Sequence, residues 1–263
     1  MAKASTYAFD VEFFDEDFTG CMSWNVLGKR ILRAAAQHAE DRGFEHVHVN
    51  GHTYLWVLSR MVVEVERMLH TSEKGFITTW LTSAYRYFTE RCFSITDADG
   101  NEVGRATTIW ALIDSQTRKP INLNEVFDDS ALFAYIDSER TLGMAPAKRV
   151  LPTGMQPVAE RQVYYSDLDK NGHLNSIRYI DYVLDTFSEK IFEKYYPSRI
   201  ELAYSHESMC GDKLTVCAKH VDLYGKSAGS LQPDEGVHQF AVKNSDKVAC
   251  LCGLSLKQKQ NEI

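Results

Sequence analysis

DLDKNGHLN, residues Asp167–Asn175, has a degraded copy earlier in the chain: DEDFTGCMS, residues Asp15–Ser23. With an offset of 152 positions (Asp15 to Asp167), Asp15, Asp17 and Gly20 fall on Asp167, Asp169 and Gly172. Thr19, Cys21 and Ser23 stand where the later copy has Asn171, His173 and Asn175, and the flanking Val11 and Phe13 fall on Val163 and Tyr165. A repeat near half the chain length points to one structural unit written twice. The first copy keeps the turn and lacks the amide and imidazole.

What surrounds each copy supports the duplication. Tyr7–Phe14 alternates like a strand, and Trp24–Arg42 carries apolar residues at helical spacing (Val26, Leu27, Ile31, Ala34, Ala35, His38). Strand-like stretches follow at Tyr54–Arg67, Phe76–Ala84, Tyr87–Thr96 and Val103–Asp114, the last two joined by the turn sequence Asp97–Gly100. The order then recurs: a short strand at Gln162–Tyr165, the loop, a helix over Asn175–Lys194, and strands at Ile200–His206, Lys213–Val221, Val237–Lys243 and Val248–Leu256. One long helix with an antiparallel sheet, twice over, predicts an α+β fold. The expected division is 1–122 for the first unit, 123–159 for a linker with a short helical stretch near Ser130–Glu139, and 160–263 for the second.

Composition narrows the function. The 263 residues are 44% hydrophobic, enough for two small cores at about 150 residues per domain. No basic leader runs into an apolar stretch and no apolar run nears the roughly 20 residues of a membrane span, so a soluble cytoplasmic protein is expected. Six cysteines without zinc-ligand or disulfide-rich spacing read as reduced thiols, and neither metal nor organic cofactor is expected. The net charge of −7, with no basic stripe among aromatics, excludes general nucleic-acid binding.

The loop carries the chemistry. Asp167, Asp169, Asn171, His173 and Asn175 alternate with other residues just before a helix, which supplies carboxylates, amides and an imidazole beside N–H groups able to hold an oxyanion. As a bland alternative, the same residues cap a helix and close turns. D-x-D-x-N-G also opens a calcium loop, but the twelfth position is Arg178 where a glutamate is required. GKSAG (Gly225–Gly229) fits G-x-S-x-G without the following helix that a nucleophile elbow needs, and His220 replaces the upstream glycine of a P-loop. In LAYSHESMCGD (Leu202–Asp212), Glu207 ends a strand as a candidate general base, and Cys210 is weighed as a nucleophile for His173.

These residues resemble the acyl-ACP thioesterase family of plants and bacteria. The likeness rests on WVLSRMVVEVER (Trp56–Arg67), TTWLTSA (Thr78–Ala84), RATTIWALIDSQTRKP (Arg105–Pro120) and SDLDKNGHLNSIRYIDYVL (Ser166–Leu184). It implies a tandem double hotdog, each half a long helix wrapped by an antiparallel sheet, with an acyl-chain pocket in the first half and catalysis in the second. It also implies Asp169, Asn171, His173 and Glu207 as the catalytic set, with acyl carrier protein as partner and a fatty acyl thioester as substrate. Plant members have a cysteine directly after the glutamate; here that position is Ser208. Acyl-CoA hydrolysis, enoyl or 3-hydroxyacyl thioester hydration and non-catalytic acyl binding stay open, as does a homodimer. An acidic carrier would need a local basic patch on this acidic chain, with Lys148, Arg149, Lys170, Arg178 and Arg199 as candidates by position.

Overall fold

The computed structural model describes residues 2–45, 47–127, 132–219 and 237–259. Two compact units divide the chain, Met1–Ala145 and Pro146–Ile263.

In the first unit, runs of β-branched and aromatic residues form β1 (Ala4–Asp10), β2 (Val47–Val49), β3 (His52–Val65), β4 (Lys74–Tyr85), β5 (Phe88–Thr96) and β6 (Glu102–Asp114). They pair antiparallel in the order β1-β4-β5-β6-β3, with β2 added to β3 as a hairpin. The β5–β6 turn closes as its sequence predicts: the Asp97 carboxylate accepts the N–H groups of Asp99 and Asn101, and Gly100 takes φ +84°. Helix α1 (Trp24–Glu40) starts at Ser23, whose hydroxyl accepts the Val26 N–H, and buries Leu27, Ile31, Ala34, Ala35 and His38. A further apolar cluster gathers Phe44, Val47, Leu81, Leu112, Leu123, Phe127 and Leu132.

The second unit repeats the plan with β7 (Gln156–Gln162), β8 (Tyr195–Tyr204), β9 (Lys213–Ala218), β10 (His238–Asn244) and β11 (Lys247–Gln258), antiparallel in the order β8-β11-β10-β9-β7. Its helix departs from expectation. The predicted Asn175–Lys194 helix is broken into α2 (Arg178–Leu184) and α3 (Glu189–Lys194). Hydroxyls cause the break: Thr186 donates back to the Val183 carbonyl at 2.6 Å, and Ser188 caps α3 by accepting the Lys190 N–H. The interruption drops Phe187 into the core, where its ring meets Phe192 and Phe240 at 5.9 Å.

Three other expectations shift. The strands expected at Tyr7–Phe14 and Gln162–Tyr165 lie earlier, as β1 and β7, and the residues after them form 3₁₀ turns at Phe13–Asp15 and Tyr165–Asp167. The 123–159 segment is shared out rather than separate. Leu123 and Leu132 join the first unit's cluster, while Met155 packs with Cys217 and Ala241 of the second. The helix expected near Ser130–Glu139 shows as a 3₁₀ turn at Phe133–Tyr135, with residues 128–131 outside those described. The GKSAG string also lies outside them. Among the described residues no helix is long and apolar enough to cross a membrane, and no group of three or more His, Cys, Asp or Glu side chains is arranged for a metal ion. All six cysteines are free thiols.

Candidate active site

Asp167 ties the loop together. It is 4% exposed, and its carboxylate accepts the Tyr164 N–H at 3.0 Å, the Tyr182 hydroxyl at 3.1 Å and two Arg178 N–H groups at 2.9 and 2.7 Å. Burial alone would raise its pKa. These donors outweigh burial and hold it below the usual carboxylate value. Its carbonyl also accepts the Asn175 N–H at 2.8 Å.

Asp169 shapes the tip. Its Oδ1 accepts the backbone N–H groups of Asn171 (2.8 Å) and His173 (3.1 Å). Its own N–H donates to the His173 carbonyl at 2.7 Å, and Gly172, at φ +79°, turns the chain back toward it. The carboxylate therefore positions the residues that flank it. Asn171 is exposed, and among the described residues its side-chain amide makes no hydrogen bond.

Backbone pairing brings His173 to Glu207. His173 bridges Met209, and the Leu174 N–H donates to the Ser208 carbonyl at 2.8 Å, so the segment just after β8 runs along the loop. Glu207 Oε1 lies 3.5 Å from His173 Nδ1, with the side chains 43% and 22% exposed. That separation is long for a hydrogen bond and short enough to tighten when substrate binds. An imidazole beside a solvent-reachable carboxylate can take and return a proton.

Past the end of β8, Ser208 alone among residues 205–210 is buried. Ser208 is 1% exposed with its hydroxyl 3.3 Å from Tyr179, inside the core, where burial pushes the Tyr179 phenol up to about 12. Ser208 therefore points away from the His173–Glu207 pair. Cys210 is exposed, and among the described residues it makes no hydrogen bond to His173. The nucleophile reading of Cys210 finds no support.

Two of the expected oxyanion donors at the helix start, the Ile177 and Arg178 N–H groups, are already engaged. Asn175 Oδ1 accepts the Ile177 N–H at 3.0 Å, its carbonyl accepts that of Arg178 at 2.9 Å, and α2 has only seven residues. Two candidate docking cations are engaged as well: Arg178 by Asp167 and Asp181, Arg199 by Glu201 at 2.6 Å. The sequence reading missed the Arg178–Asp167–Tyr182 knot and Met209. Arg178 and Tyr182 lie four residues apart on α2, so their side chains share the face turned to Asp167.

The first unit repeats much of this frame. Asp17 Oδ1 accepts the Thr19 N–H at 2.8 Å and its own N–H donates to the Cys21 carbonyl at 2.9 Å. Ser23 N–H donates to the Asp15 carbonyl, Met22 N–H to the Leu69 carbonyl, and Gly20 takes φ +75°. The Met22–Leu69 bond matches Leu174–Ser208, so Met68 stands where the second unit has Glu207. Cys21 and Met68 together replace the imidazole–carboxylate pair.

Two α+β units of one plan, one of which brings an imidazole and a carboxylate together, define a tandem double-hotdog protein. Residues 3–130 match the acyl-ACP thioesterase N-terminal domain and residues 153–253 the acyl-ACP thioesterase C-terminal domain. The chain belongs to the acyl-ACP thioesterase family. It is similar to the crystal structure of an acyl-ACP thioesterase from Bacteroides thetaiotaomicron, at 35% identity and a TM-score of 0.83 over 97% of this chain and 98% of that one. Among curated proteins it is similar to oleoyl-acyl carrier protein thioesterase 2 of Arabidopsis thaliana, 29% identical over 84% of this chain and 65% of the relative. The match to oleoyl-acyl carrier protein thioesterase 1 of the same plant spans 51% of that relative. The chain thus spans less than two thirds of these relatives' length. The 12:0-ACP thioesterase of Umbellularia californica shares the fold at 17% identity and a TM-score of 0.77.

Proposed function

We propose that this protein hydrolyses fatty acyl thioesters carried on acyl carrier protein, releasing free fatty acid and the carrier thiol. One observation carries the reading: Glu207 and His173 face each other at 3.5 Å in the second unit, in a frame whose first-unit copy holds Met68 and Cys21. Glu207, paired with His173, acts as general base on water. Asn171, its amide pointing to no protein group, orients the water or the thioester. Asp169 keeps Asn171 and His173 in place through their backbone N–H groups.

The division of labour follows from the two copies. Residues 160–263 carry the chemistry; residues 1–122, without it, take the acyl chain, and 123–159 join them. The relatives named above are acyl carrier protein thioesterases, which supports the carrier as donor. Six free thiols suit a reducing compartment such as the cytoplasm.

The test is free-thiol release from a panel of acyl-ACPs and matching acyl-CoAs. Faster release from acyl-ACP supports the proposal. Preference for acyl-CoA reassigns the donor, and turnover of enoyl thioesters without thiol release replaces hydrolysis with hydration.

A further inference from the structure

The first unit holds a buried positive charge that the hydrolase reading does not use. Arg91, on β5, is 6% exposed. A guanidinium carries five N–H donors. Among the described residues, Arg91 makes one hydrogen bond, from Nη1 to Thr79 Oγ1 at 3.3 Å, and no ion pair. Thr79 is itself spent, since its hydroxyl donates to the Cys92 carbonyl at 3.0 Å.

A second guanidinium lies on the same face. Thr79 on β4 is paired opposite Ser5 on β1, and paired residues of an antiparallel ladder share a face. Ser5 accepts an N–H from Arg42 at 3.1 Å, just after α1. Arg42 spends its other terminal nitrogen on the His38 carbonyl, Nη2 also donates to the Ala2 carbonyl at 2.8 Å, and the Tyr135 ring lies 5.2 Å from the guanidinium; Nε is buried with no hydrogen-bond partner. Asp41, beside Arg42, takes the Tyr7 hydroxyl at 2.6 Å. His38, fully buried, has its pKa lowered to about 3 by burial and the two arginines, so it adds no charge.

Among the described residues, two guanidiniums and one carboxylate leave one positive charge in excess. Water can satisfy an unspent N–H but cannot neutralise a charge in a low-dielectric interior, where an uncompensated ion is disfavoured. Burial, helped by Arg42, lowers the Arg91 pKa to about 10, which leaves it protonated at neutral pH. An anion bound from solution would supply the missing charge.

We propose that Arg91 and Arg42 form a binding site for a small monoanion of the carboxylate class. The planar guanidinium of Arg91 offers parallel N–H groups that match a carboxylate's two oxygens. Arg42 Nε supplies a further donor, and half-buried Ser5 and Tyr7 flank the site on β1. The site stands whether or not the chain hydrolyses acyl-ACP.

Acetate is the probe. Thermal unfolding of the whole chain is followed as sodium acetate replaces sodium chloride at constant ionic strength. Wild type should gain about 2–4 °C and saturate, as a ligand that binds only the native state does. Arg91→Met should show no acetate gain and, without acetate, should melt no lower than wild type, because it removes an uncompensated charge. Arg91→Lys keeps the charge and loses the fork, and should need at least about tenfold more acetate for the same gain. Absence of an acetate gain in wild type overturns the proposal, as does an equal gain in Arg91→Met. Should Arg91→Met not fold, an unchanged acetate midpoint in Arg91→Lys overturns it.

Discussion

Replacing Asp167 with alanine removes acceptors from the Tyr164 N–H, the Tyr182 hydroxyl and two Arg178 N–H groups at once. Hydrogen bonds to a charged acceptor are worth about 1.5–3 kcal/mol each, and they do not add in full. Arg178 keeps Asp181 at 2.6 Å and is a third exposed, so its charge is not stranded. The buried Tyr182 hydroxyl and the Tyr164 N–H lose their partner, giving a loss of roughly 2–4 kcal/mol for Asp167→Ala. Asp15, its counterpart in the first unit, accepts from Arg30 and the Glu12 N–H at 3.1 Å each and is more exposed. Asp15→Ala should cost only about 1 kcal/mol. Urea unfolding followed by far-UV circular dichroism measures both, provided the denaturant slope is unchanged. The Asp167 pKa is depressed by folding, so its contribution is complete above the unfolded-state value near 4 and is lost as pH falls through the folded one. Stability of Asp167→Ala should accordingly fall less steeply on acidification than that of wild type. An Asp167→Ala cost below about 0.5 kcal/mol, or one matched by Asp15→Ala, would refute the assignment of Asp167 as the anchor of the loop.

Further outcomes follow from the two copies of the frame. Gly172→Ala and Gly20→Ala place a Cβ on residues at φ +79° and +75° with nothing within 4 Å, so each should lose about 1 kcal/mol in thermal or urea unfolding. Only Gly172→Ala should also lower kcat, since it alone bends a loop bearing His173; equal kinetic effects would contradict the division of labour. Cys210→Ser should keep turnover within about twofold of wild type, whereas a loss near the ~10² scale of a catalytic group would restore a nucleophilic role to the thiol. Tyr179→Phe removes one contact with Ser208 and should cost about 1 kcal/mol in unfolding while leaving the pH–rate profile unchanged.

Much of this was legible in the chain because backbone needs repeat with the fold. Asp15, Asp17 and Gly20 recur as Asp167, Asp169 and Gly172 because both turns require an Asx acceptor and a left-handed residue. The strand partner was not found by the same offset. Glu207 corresponds to Met68 at 139 positions rather than 152, since the first unit has a longer helix and the β2 hairpin between loop and strand. The helix break was hidden for another reason: apolar periodicity runs on through Phe187 and Ile191, while the hydroxyls of Thr186 and Ser188 end the helix locally. Nor does any local pattern mark Ser208 as inward-facing. That follows from pairing Leu174 with Ser208 in the segment after β8, a contact between distant parts of the chain.

The measurement that bears most directly on the central claim is single-turnover thiol release from acyl-ACP by wild type, Glu207→Ala and His173→Ala, with circular dichroism confirming that each is folded. General-base help contributes about 10²–10⁴ in rate, so each variant should slow by that factor with the carrier still bound. Either folded variant turning over at near wild-type rate would contradict the assignment of hydrolysis to the His173–Glu207 pair.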